Sequence, residues 1–144
     1  MKFKLIIDKS ADEEIIVTAH ERSAFTDKLE EFVLSYNGDD KITVSTKTTL
    51  KQIHFDDIEC ITVIDGKTYV IDRSGERFEA KLRLYEFEER LPYNFIRINK
   101  SAIANKNRLE KFTAGYSGSV NAVFKSGYTD YVSRRCFAKI KKEF

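Results

Sequence analysis

The run Phe95-Ile96-Arg97-Ile98 alternates like a strand and then gives way to Asn99, Lys100 and Ser101. A buried strand ordinarily ends in a plain turn, whereas this exit is basic and rich in hydrogen-bond donors. Two readings fit those residue types. The cluster is a solvated loop, or it reaches for phosphates and base edges: a lysine can donate to guanine O6 and N7 or to phosphate, and an asparagine can serve adenine. The distribution of charge bears on the choice. Residues 97–144 hold eleven Lys and Arg against three Asp and Glu, a net +8, and residues 1–96 carry a net −6, so the overall +2 conceals a basic end on an otherwise acidic chain. That asymmetry suits a surface facing a polyanion. A charged face that merely solvates the protein would look the same.

Other chemistry is sparse. There is no Gly-rich nucleotide fingerprint, Walker sequence or HExxH motif. His20 and His54 are isolated, and His54, between Ile53 and Phe55, reads as a partly buried packing residue. Cys60 and Cys136 lie far apart among core-like neighbours and read as buried free thiols. Together with the histidines they show no metal-ligand spacing. The carboxylate pairs Glu13-Glu14 and Glu88-Glu89 fall where adjacent side chains point apart, and Asp56-Asp57 reads as the start of a turn or short helix. The expectation is a protein that is not an enzyme and uses no cofactor and no metal.

These groups need elements to hold them. At 144 residues and 42% hydrophobic, the chain can bury a core as one domain, or one domain plus a small extension. No apolar run is long enough to cross a bilayer and no signal-peptide pattern opens the chain, so the expected compartment is the cytoplasm. "FKLIID" (3–8) and "EEIIVTAH" (13–20) read as two short strands joined by "KSADE". "SAFTDKLEEFVLSY" (23–36) reads as a helix capped by Ser23, with Phe25, Leu29, Phe32, Val33 and Tyr36 on one face and Asn37-Gly38 ending it. A boundary is placed near residue 40. Beyond it the texture turns to β. "KITVSTKTT" alternates, and Asp65-Gly66 and Ser74-Gly75 punctuate a three-stranded meander. Residues 81–91 form a helix stopped by Pro92. Up to four further strands follow, with turns at Ser117-Gly118 and Ser126-Gly127. Residues 134–144 close the chain as a basic helix with Ser133 as its N-cap.

Three segments in order, "NFIRINKSAIAN" (94–105), "GSVNAVFKSG" and "YVSRRCFAKIKK" (131–142), resemble the LytTR DNA-binding domain of bacterial response regulators. "HFDDIECITVIDGKTYVID" is similar to that family's opening. The resemblance covers about residues 41–144 and is closest to the small stand-alone type, in which a short N-terminal ββα region replaces a receiver domain. It implies a mainly β, antiparallel fold with short helices over 41–144, preceded by a ββα region over 1–40 for dimerisation or signal input. About 40 residues are too few for a receiver domain of about 100 or more.

The resemblance also implies roles. Lys100, flanked by Asn99 and Ser101, occupies a base- or phosphate-contacting position. Arg135 matches a second contact at the start of the last helix, with Arg134 beside it, and Lys67 and Thr68 lie near a third, in the hairpin after Gly66. At Asn99 the sequence departs from the family, which commonly carries His there. Each role has an ordinary competitor. Arg97 fits the outer face of a strand or an ion pair as well as DNA, and Lys139 and Lys142 fit a solvated helix face. Tyr116, Tyr128 and Tyr131 suit packing better than stacking on bases.

Two functions follow from different classes. The leading one is a sequence-specific regulator of transcription that binds double-stranded DNA as a homodimer, with a signalling partner at its N-terminal region and no insertion into a membrane. The alternative is a protein-interaction module whose working surface is the acidic N-terminal region. Sequence-tolerant binding of RNA or single strands is a weaker third.

Overall fold

The computed structural model describes residues 1–35 and 40–143 and divides into two compact units, Met1–Asp39 and Asp40–Phe144. In the first unit the strands expected over 3–8 and 13–20 do not form. Only the turn between them is present, with Asp8 Oδ1 accepting from the Ser10 amide at 2.9 Å. The reason is physical. β-prone residues become a strand only when a partner takes their backbone groups and covers one face, and every residue from 1 to 25 is exposed. The helix does form, as α1 (Ala24–Ser35). The Ser23 amide donates to Thr26 Oγ1 at 2.8 Å and the Thr26 amide to Ser23 Oγ at 3.3 Å, a reciprocal cap. Leu29 and Val33 are half-buried, whereas Phe25 and Phe32 of the expected face are exposed. Tyr36, Asn37 and Gly38 lie outside the described residues.

The second unit is built on an antiparallel sheet of seven strands. They are β1 (Lys41–Ser45), β2 (Leu50–His54), β3 (Ile58–Ile64), β4 (Lys67–Asp72), β5 (Arg77–Ala80), β6 (Phe95–Asn99) and β7 (Ala102–Asn105), in the order β2-β1-β5-β4-β3-β7-β6. A helix, α2 (Leu84–Arg90), follows β5. A second sheet holds β8 (Leu109–Ala114), β9 (Val120–Phe124) and β10 (Thr129–Val132) in the order β10-β9-β8, and α3 (Arg134–Glu143) ends the chain. Asp56 and Asp57 sit in a single 3-10 turn ahead of β3.

Both faces of the large sheet are covered, which explains why β3 is apolar on both of its sides, with Ile58, Cys60, Ile61 and Val63, rather than strictly alternating. Ile61, Val70 and Ile103 point into one core with Leu84 and Phe87 of α2, while Cys60, Ile71, Ala102 and Ala104 point into another with Phe124, Val132 and Ile140. Asp65 (φ 51°) and Gly66 (φ 76°) make the two-residue β3–β4 turn, whose two left-handed positions match the strand twist.

Polar groups lock the layers. Glu59, 0% exposed on β3, accepts from Arg108 Nη2 at 3.2 Å, from the Ser126 amide at 3.2 Å and from the Ser126 hydroxyl. It therefore ties the large sheet to one end of the small one, where the start of β8 meets the β9–β10 turn. Asn105 Nδ2 donates to the Ile58 carbonyl at 2.8 Å, and its Oδ1 accepts from Asn94 Nδ2 at 2.8 Å and the Asn107 amide at 3.0 Å. Two expectations need correction. His54 is exposed, because it sits at the end of β2, whose only buried residue is Ile53. Cys60 is buried but Cys136 only partly so, since it lies at the rim of the α3 contact face.

Candidate nucleic-acid interface

Strand register decides which of the candidate residues can act together. Ile64 pairs with Lys67 across the β3–β4 turn, and the Val63 amide donates to the Ser101 carbonyl at 2.8 Å. The loop after β6 therefore lies at the same end of the large sheet as the Asp65-Gly66 turn. The Ser133 amide donates to the Ile98 carbonyl at 2.8 Å, which brings the start of α3 to that end too. Lys67, Lys100, Arg134 and Arg135 are all exposed there. Strands lie about 4.8 Å apart, so β4 and β6, three steps apart, set Lys67 and Lys100 roughly 14 Å from one another at their bases. That span is comparable with a major groove about 12 Å wide.

α3 is anchored by its apolar side. Ile140 is buried and Phe137 meets Phe112 edge-on at 5.6 Å. Ser133 Oγ caps it, accepting from the Cys136 amide at 3.2 Å. Arg134, Arg135, Lys139 and Lys142 remain on its exposed surface.

The loop carrying Lys100 is held from several sides. Arg97 Nη1 donates to the Lys100 carbonyl at 2.6 Å and its Nε meets Glu88 Oε1 at 2.5 Å. Arg97 is thus engaged in bracing the loop against α2, the ordinary ion-pair role open to it from sequence. Asn99 and Thr68 are buried, not displayed. The Asn99 amide is occupied by protein groups, and Thr68 lies across from Ala80 in the ladder, so neither side chain is presented to solvent. Ser101 is half-buried with both backbone groups bonded.

A polar cluster lies beneath. Asp130 Oδ1 accepts from the Tyr131 amide at 2.8 Å and Oδ2 from the Tyr128 hydroxyl at 3.2 Å. Burial pushes the Asp130 carboxyl above its usual range, against the pull of those hydrogen bonds. It likewise pushes the Tyr128 hydroxyl and the Cys60 thiol up.

Two further exposed basic residues lie at the same end, where no local pattern singles them out. Lys81 and Arg83 follow β5 just beyond the Thr68–Ala80 pair. Tyr116, 96% exposed, sits in the β8–β9 loop, which the Val120–Val132 pair brings to the α3 start. Tyr128 packs near Phe124 as expected, whereas Tyr116 does not pack and Tyr131 is exposed. Among the described residues, no three His, Cys, Asp or Glu side chains gather so as to hold a metal ion, and no helix is long and apolar enough to cross a membrane.

Residues 48–144 match the family of LytTr DNA-binding domains. The chain belongs to this family. A protein of Staphylococcus aureus strain NCTC 8325, named an uncharacterized HTH-type transcriptional regulator, is 32% identical over 99% of this chain and 97% of its own length. Another so named, from the bovine strain RF122, is 40% identical over 62% of this chain, and the match spans 60% of that protein. The fold of this LytTR protein is also that of a solved LytTr DNA-binding domain from Bacillus cereus, with a TM-score of 0.65 at 25% identity over 73% of this chain and 96% of the other. Although those relatives carry the words HTH-type, no two helices joined by a short turn occur among the described residues here. This LytTR protein is a DNA-binding transcriptional regulator.

Proposed function

We propose that this regulator recognises duplex DNA sequence-specifically, with Lys100 and Arg135 reading bases in the major groove. Lys67, Arg134, Lys139 and Lys142 supply phosphate contacts. The observation that carries the reading is the bond from the Ser133 amide to the Ile98 carbonyl at 2.8 Å, which joins the Lys100 loop to the first turn of α3 at one end of the sheet. Two copies pair through Met1–Asp39 and occupy paired half-sites in the cytoplasm. The exposed Phe3, Leu5, Ile6, Ile7, Ile15 and Ile16 supply the apolar area. A unit of about 40 residues without its own core ordinarily needs such a partner. The same apolar surface favours a second reading, in which the unit takes a signalling protein instead.

The test is a pair of substitutions. Lys100→Ala and Arg135→Ala should each cost about 1–3 kcal/mol on a footprinted operator and less on random duplex. Equal losses on both DNAs would demote these residues to phosphate contacts, and unchanged binding would remove them from the interface. Sedimentation of the full chain decides between the two roles of the N-terminal unit: a monomer at micromolar concentration contradicts self-pairing.

A further inference from the structure

Asn99 has the residue type of a base reader, yet it is 1% exposed. Its polar atoms work in two directions. Oδ1 accepts from the Ser101 amide at 2.7 Å and so closes the turn that carries Lys100. Nδ2 donates to the Tyr131 carbonyl at 2.8 Å and lies 3.4 Å from Asp130 Oδ1, reaching the residues that lead into α3. Asp130 is itself fixed by the Tyr131 amide and the Tyr128 hydroxyl. One side chain therefore straps together the two segments that carry Lys100 and Arg135, which are far apart in sequence.

We infer that Asn99 is a positioning residue that fixes the span between Lys100 and Arg135, so that discrimination between DNA sequences depends on it although it touches no DNA. This rests on the assignment of Lys100 and Arg135 as base readers. The physical reason is a difference in tolerance. A bidentate contact to a base edge needs its donor held within about 0.5 Å. A lysine on phosphate behaves as a mobile point charge and tolerates more. Loosening the strap should then weaken base reading while leaving phosphate attraction in place.

The discriminating variant is Asn99→Asp in the full chain. It keeps the shape of the side chain and the acceptor for the Ser101 amide. It replaces the donor with a carboxylate oxygen facing the Tyr131 carbonyl and Asp130. Affinity is measured on the operator and on a random duplex at several salt concentrations, and amide hydrogen exchange is followed without DNA. The operator-to-random ratio should fall about tenfold or more. The salt slope should hold, and the Ser133 amide should exchange faster while Ser101 stays protected. An unchanged ratio, or affinities that fall in step on both DNAs, would overturn the inference. Asn99→Ala, which removes both arms without adding charge, is the second variant should the first fail to fold. If both unfold, Asn99 is a stability residue and the inference falls. A wild-type protein with no preference for any sequence would instead refute the functional reading, and the exchange of Ser133 would still report on the strap.

Discussion

Glu59→Gln probes whether the buried ion pair holds the two sheets together. The carboxylate is 0% exposed and its partner Arg108 is only 19% exposed at the side chain. Removing one partner of a buried pair commonly costs about 3–5 kcal/mol, because the other charge stays desolvated without its counter-charge. Two features reduce that figure here. Glutamine keeps one oxygen that can accept from Ser126, and Arg108 reaches some solvent, so the expected loss is about 2–4 kcal/mol. Against that, Arg108 Nε is buried without a hydrogen-bond partner among the described residues, so the guanidinium is under-satisfied even before Glu59 is changed. With a urea m-value of about 1–2 kcal/mol/M, the midpoint should fall by roughly 1–4 M with m unchanged. A double-mutant cycle with Arg108→Met should show a coupling of about 1–3 kcal/mol. A loss below about 0.5 kcal/mol with additive effects would mean that water screens the pair and that Ser126 alone makes the tether.

Asp130 gives a pH prediction. Its folded-state carboxyl lies above the usual value because of burial. The linkage it contributes therefore favours folding fully below the unfolded pKa and is lost as pH rises through the folded one. Asp130→Asn should then gain on wild type between acid and neutral pH in denaturation midpoints, and a gap that closes with rising pH contradicts the burial argument. On α3, Lys139→Ala and Lys142→Ala should each flatten the log–log salt slope by about one unit and weaken all sequences alike; an unchanged slope leaves that lysine a solvating group. A fragment beginning at Asp40 should fold and bind a single half-site, checked by NMR and by binding to half and paired sites. An unfolded fragment would place the N-terminal unit in the core.

The parts of the fold that local pattern could reveal are those where neighbours in sequence are neighbours in space. Asp65-Gly66 between two β-rich runs predicts a hairpin because the turn chemistry and the strands are contiguous. Ser133 predicts the α3 cap for the same reason. β2 has no local signature because only Ile53 of its five residues is buried, and β7 none because "AIAN" is buried on every residue and shows no alternation. The N-terminal strands fail for the opposite reason: the propensity is present and the partner is not. In the candidate interface, the resemblance singles out Lys100 and Arg135, and both are exposed. The inward turn of Asn99 is not legible in the sequence, since the groups its Nδ2 meets lie about thirty residues further on. Glu59 likewise looked like one polar letter in an apolar run, its partners being Arg108 and Ser126.

The tip of the β1–β2 hairpin lies at the other end of the large sheet. Ser45 pairs with Glu79, so residues 46–49 emerge on the side away from Lys67 and Lys100, and all four are exposed. A fluorophore or a fused domain joined at Lys47 or Thr48 would ride clear of a duplex held by Lys67 and Lys100 as proposed above. That site is where an engineered reporter or a recruited enzyme can be carried to an operator without disturbing how the operator is read.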